Sequence, residues 1–136
     1  MKLFSSQILI IIVFFTSCGN TSPIKLIHKS PLELSKISSI EILKNNAPPD
    51  TIKYFWKQLT DEQIKSFVNE WNKVFVQETR KYFPAFEIEI YLKDGSSRNF
   101  RATNKYIKEK TDWCFDFNDS LYFEKLYGAA RLKGNQ

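Results

Sequence analysis

Histidine, glycine and cysteine are scarce in this chain, and each scarcity closes off some chemistry. One histidine, His28, and two cysteines, Cys18 and Cys114, among 136 residues leave too few nitrogen and sulfur ligands for a tetrahedral metal site, and no CxxC spacing occurs. The four glycines fall in none of the G-x-G-x-x-G, G-x-x-x-x-G-K or G-x-S-x-G patterns, so neither a phosphate-cradling loop nor a nucleophile elbow is expected. Enzymes that work through histidine, metal or a nucleotide are therefore short of parts. No metal and no other cofactor is expected, although a small hydrolase using Asp, Glu or Tyr stays open. The charge is +5, from 20 Lys+Arg against 15 Asp+Glu, with the lysines dispersed and no arginine-rich stripe. That argues against nucleic acid as a partner and fits a weak attraction to anionic lipid headgroups. Rings, by contrast, are plentiful: 12 Phe, 6 Tyr and 3 Trp, more than one small core readily buries.

The first residues have the order of an export signal. Lys2 supplies the positive start, Ile8 to Phe15 an apolar run, and Thr16 and Ser17 small residues before Cys18. The stretch from Leu3 to Ser17 is shorter than the roughly 20 residues a spanning helix needs, and Ser5, Ser6 and Gln7 interrupt it. The run Phe15-Thr16-Ser17-Cys18 resembles the lipobox of bacterial lipoproteins, with Phe15 where Leu is usual. A small residue before the cut admits the peptidase, and only a thiol is nucleophilic enough to accept the diacylglycerol. The resemblance covers the signal and Cys18 alone. It implies a signal peptide over 1–17, lipid with palmitate-type chains on Cys18, and a stable attachment of a cell-envelope protein to its membrane. Gly19, rather than Asp, after the cysteine points to the outer membrane in a Gram-negative cell. With no acidic run following, a periplasm-facing position is expected. Cys114 is then left without a partner for an intramolecular disulfide.

Composition divides the remainder. Residues 18–34, with Pro23 and Pro31, read as a lipidated cysteine and flexible tether carrying His28; residues 35–128 read as one small domain, and 129–136 as a basic tail. Ile40 and Ile42 alternate with Ser39 and Glu41 in a first strand over Ile37 to Leu43, which Asn45 to Asp50 ends. Thr51 to Leu59 reads as a second strand with Ile52, Tyr54 and Trp56 on one face. Thr60 and Gln63 have the spacing of a capping box, and Ile64, Phe67, Val68, Trp71, Val74 and Phe75 then form one apolar stripe. The stripe predicts a helix over about 60–80, and Trp71 within it reads as core.

Phe86 to Leu92 and Arg98 to Ala102 alternate around Asp94-Gly95, the signature of a hairpin whose wet face pairs Glu87 or Glu89 with Arg101. Asn104 to Lys110 reads as loop or helical turn. Trp113 to Phe117 reads as a strand, with Cys114 and Asp116 sharing a face. Asn118 or Asp119 then caps a short helix that Gly128 stops. The expected fold class is α+β: an antiparallel sheet of three to five strands, the main helix on one face, and a short C-terminal helix.

Little of this chain carries catalysis. Cys114 has no base nearby in sequence to make it a nucleophile, so it reads as a packing residue. Asp112, Asp116, Asp119 and Glu124 match no metal-binding spacing and are explained by solvation and capping. The surplus of rings favours a membrane-tethered, non-catalytic binding module, with Tyr54, Trp56, Tyr91, Tyr106 and Tyr122, and also Tyr82, as candidate surface residues. The partner would be an envelope protein, peptide or polymer. An envelope-structural or assembly-accessory role and a small hydrolase or inhibitor are the alternatives.

Overall fold

The computed structural model describes residues 29–45, 54–74, 76–79, 81–110 and 113–133. Cys18, His28, Asp112, Ile52 and most of the Asn45–Asp50 loop lie outside the described residues. The class is α+β, as composition and periodicity predict. The sheet is larger than expected, with eight strands among the described residues: β1 (Ile37–Lys44), β2 (Lys57–Gln58), β3 (Val76–Thr79), β4 (Phe86–Leu92), β5 (Ser97–Ala102), β6 (Tyr106–Lys108), β7 (Trp113–Asp116) and β8 (Arg131–Leu132). They lie in the order β3-β7-β6-β5-β4-β1-β2-β8, and every neighbouring pair is antiparallel.

The middle of the sheet follows from alternation. Ile40 and Ile42 of β1 stand opposite Ile90 and Ile88 of β4, and Ile88 stands opposite Phe100 of β5, all turned to the core. The β4–β5 hairpin turns at Asp94-Gly95 as predicted. Gly95 has φ 86°, a conformation that any Cβ would strain, and the Asp94 carboxylate accepts from the Ser96 N–H at 2.9 Å. A bond from the Ser96 hydroxyl at 2.6 Å, and then that backbone bond, hold the Asp94 carboxyl below its ordinary pKa.

Two helices, α1 (Asp61–Lys73) and α2 (Tyr122–Ala129), pack on the same face of the sheet. The start of α1 is the predicted capping box: the Gln63 N–H donates to Thr60 Oγ1 at 3.3 Å and the Thr60 N–H donates to Gln63 Oε1 at 2.8 Å. Its stripe buries Ile64, Phe67, Val68 and Trp71, with Trp71 edge-on to Phe100 at 5.0 Å and to Phe115 at 4.9 Å. Each such side chain contributes roughly 1.5–3 kcal/mol through burial.

The helix ends earlier than the stripe predicts. Val74 closes α1 in an extended conformation, φ −68° and ψ 147°, and the next residues form β3 against β7. β-branched Val74 and Val76 favour that switch. At the other end of the domain α2 contributes Phe123, Leu126 and Tyr127 to the same core. Gly128 lies inside α2 and does not stop it; the helix closes at Ala130, which is extended at ψ 153°.

Three further expectations change. Residues 106–108, read as loop, form a strand with one buried residue, Ile107. Residues 131–132, assigned to a basic tail, pair with β2 as β8, and the Lys133 ammonium meets the Glu41 carboxylate at 2.7 Å. The last part of the expected tether is also packed. Asn72 clasps Leu32 through both backbone groups, each at 2.9 Å, and Leu32 is buried. Trp71 donates to the Ser30 carbonyl at 3.0 Å, and Lys29 donates to the carbonyls of Trp71 and Val74 at the C-terminus of α1, where a cation suits the helix dipole. Burial lowers the pKa of that ammonium.

Candidate binding groove

Since both helices cover one face of the sheet, the side chains that alternate to the other face carry the polar surface of the domain. In the β1–β4–β5 registers Glu41 lies opposite Glu89, Glu89 opposite Asn99, and Glu87 opposite Arg101. That register matches one of the two cross-strand pairings anticipated from the pattern, although the two side chains form no ion pair among the described residues. Gln58 lies opposite Glu41 and so belongs to this outer face, and Trp56, just before the strand, reaches it as well, meeting Glu87, Glu89, Asn99 and Arg101. Lys57 points inward, donating to the Tyr127 carbonyl at 3.1 Å with its ammonium 4.2 Å from the Tyr127 ring centroid.

Trp56 thereby walls a shallow cavity of about 300 Å³ whose floor carries Glu87, Glu89, Asn99 and Arg101 over the core residues Ile88 and Phe100. That volume sits at the lower end of the range for ligand pockets, about 300–1,000 Å³. Beside the floor, the Tyr91 hydroxyl donates to Glu89 Oε2 at 2.9 Å. This bond, then burial, then the neighbouring Glu41, push the Tyr91 pKa up to about 12. The Asn45 amide donates to Glu87 Oε1 at 3.3 Å.

The structure divides the candidate rings into two groups. Trp56, Tyr91 and Tyr106 lie on the outer face, with Trp56 in the groove and Tyr91 beside it. Tyr106 stands farther along the sheet, opposite Asp116 of β7. Tyr54 and Tyr122 belong to the core side. Tyr54 packs edge-on against Tyr127 at 6.0 Å, and Tyr122 against Phe117 at 4.8 Å, so both are corrected from surface to core packing. Tyr54 and Trp56 therefore do not share a face: the chain joins the ladder only at Lys57, so strand alternation does not govern the residues before it.

Tyr82 lies across the outer face at β5 and β7. Its hydroxyl donates to the Arg101 carbonyl at 2.8 Å, and burial first, then Cys114, raise its pKa. Cys114 is fully buried there, deeper than the packing position expected for it.

Acidic residues singled out in the sequence have separate structural duties. Asp116 accepts from the Asn118 N–H at 2.7 Å and pairs with Lys105 at 2.9 Å; Asn118 takes the left-handed conformation, φ 60°, that asparagine tolerates. Asp119 accepts from the Leu121 N–H and pairs with Lys125 at 2.8 Å, which holds its carboxyl below the ordinary pKa. Glu124 pairs with Lys44 at 2.6 Å. Among the described residues, no group of three or more His, Cys, Asp or Glu is placed to hold a metal ion, and no helix is long and apolar enough to cross a membrane.

The floor residues Glu87, Glu89, Asn99 and Arg101 were legible only as hairpin electrostatics. The missing signal was the proximity of Trp56, which depends on β1 lying between β2 and β4. Comparison with protein-family models, curated proteins and solved structures returns no match, so the functional reading stands on the residues themselves.

Proposed function

We propose that this protein is a bacterial envelope lipoprotein, held to its membrane by lipid on Cys18, whose domain is a non-catalytic binding module. The observation that supports binding is the groove: a tryptophan at the wall of a polar cavity, on a sheet face that no described helix covers. The lipobox-like Phe15-Thr16-Ser17-Cys18 supports the anchor. Ten residues lie between Cys18 and Lys29, the first described residue, so even a fully extended chain would span at most about 40 Å between them. The domain would then work within that distance of the lipid surface, on the outer membrane and facing the periplasm in a Gram-negative cell. The partner is a component of the envelope: a protein, peptide or polymer.

The anchor is tested by the intact mass of the mature protein and by fractionation of Cys18→Ala. The reading requires a lipid adduct and a start at residue 18, and requires C18A to leave the membrane fraction. An unmodified Cys18 in a host able to lipidate would remove the anchor. Affinity capture from intact envelope with wild type and Trp56→Ala tests the module. A partner lost in W56A is expected, whereas identical captures would count against the groove.

A further inference from the structure

Resting on the binding reading above, we infer that the groove at Trp56 takes a neutral, hydroxyl-rich ligand: a pyranose unit of a glycan chain. The first argument is shape and polarity. The partly exposed Trp56 presents a flat apolar surface at the wall of an otherwise polar cavity. A pyranose has the same division, with C–H bonds on its faces and hydroxyls around its rim, so the ring face stacks on indole while the rim meets the floor.

The second argument is the donor and acceptor set. Glu87 and Glu89 are acceptors, Arg101 is a donor, and the Asn99 amide is both. A hydroxyl needs both kinds of partner, and an acetamido group needs one of each. Such a set fixes orientation without requiring charge on the ligand.

The third argument is that both carboxylates of the floor already have partners. The Tyr91 hydroxyl donates to Glu89 at 2.9 Å and the Asn45 amide donates to Glu87 at 3.3 Å. An anionic ligand would meet Glu87 and Glu89 directly. A cationic one would meet Arg101 and compete for carboxylates that have partners. A neutral ligand uses what remains, since an ionised carboxylate has about four lone-pair sites and these bonds occupy only some of them. The cavity volume of about 300 Å³ and its open side suit one sugar unit with the chain continuing into solvent.

The full-length protein, held in a sugar-free detergent, is titrated with the β-1,4-linked tetramer of N-acetylglucosamine, following tryptophan fluorescence and amide chemical shifts. The expected result is saturable binding, weakened at least tenfold by Trp56→Ala and several-fold by Asn99→Ala and by Glu89→Gln. Lysine and glutamate homopeptides serve as charged probes and are expected to give no Trp56-dependent response. If W56A does not fold, N99A and E89Q decide, because Asn99 is exposed and E89Q retains its shape. Absence of saturable tetramer binding to folded protein would overturn the inference, as would binding that all three substitutions leave unchanged or a lysine peptide that binds through Trp56. A protein captured through the groove alongside failure of the tetramer would overturn the ligand class alone and leave the binding module standing.

Discussion

Arg98 and Glu109 form a two-pronged ion pair, Nε to Oε1 at 2.8 Å and Nη2 to Oε2 at 2.9 Å, with side chains only 14% and 19% exposed. The same guanidinium donates to the carbonyls of Pro31 and Ser30, each at 2.9 Å. One side chain thus ties β5 both to the end of β6 and to the chain arriving from the N-terminal side. Arg98→Ala is expected to lower stability by about 2–3 kcal/mol, since it leaves Glu109 partly buried without its fork and removes charge-assisted bonds to backbone. Arg98→Lys keeps the charge but not the planar fork, and is expected to recover only part of that loss. Urea unfolding of the three proteins measures the series, and an R98A midpoint equal to wild type would contradict it.

Asn72 matches both backbone groups of Leu32 and so acts as a clasp on the incoming chain. Asn72→Ala is expected to cost about 1–2 kcal/mol and to speed amide exchange selectively at residues 30–33. Exchange mass spectrometry on wild type and variant tests the clasp. Uniformly faster exchange across the domain would show general destabilisation instead.

That clasp shows where sequence reasoning stops. Pro31, Ser30 and Lys29 compose a segment that looks unable to pack, and by side-chain hydrophobicity it is. It is ordered through its carbonyls and a single apolar residue, Leu32, which composition does not reveal. The hairpin at Gly95 and the start of α1 were legible because their signals are local: a positive φ at glycine and a box between Thr60 and Gln63. The end of α1 was not, because Val74 fits a helical stripe and a strand equally well, and pairing with distant β7 decides between them. β6 and β8 escaped notice because strands of three and two residues contain too little alternation to register. The groove was partly visible. Trp56 stood out as a ring, but its floor required the order of four strands.

The six tyrosines are expected to ionise unequally. Burial pushes Tyr122 up to about 12, its bond to Glu89 pushes Tyr91 up to about 12, and Tyr82 is raised by burial. In the unfolded chain these phenols release protons near 10, so above that pH the folded state binds more protons than the unfolded one. Stability is therefore intact below about pH 10 and is lost as pH rises from 10 through 12. Tyrosinate absorbance during alkaline titration is expected to show three groups lagging, with their release coinciding with unfolding. Six phenols titrating together near 10 in a folded protein would contradict the assignment.

Tyr122 offers a separate check, because its buried hydroxyl makes no full hydrogen bond among the described residues, with Ser66 only a polar neighbour. Tyr122→Phe removes a desolvated polar atom while keeping the ring against Phe117 and Phe123. Thermal unfolding is expected to show unchanged or raised stability, by up to about 1 kcal/mol. A loss of that size would mean that the hydroxyl has a partner.

Contact in the native envelope tests the central claim most directly. A photo-crosslinking side chain is placed at Asn99 in the groove floor and, in a second variant, at Lys65 on the exposed side of α1, and intact cells are irradiated. A binding module that works through its open sheet face predicts a discrete adduct from position 99 that Trp56→Ala abolishes, with none from position 65. Adducts from position 65 alone, or from both positions regardless of Trp56, would contradict it.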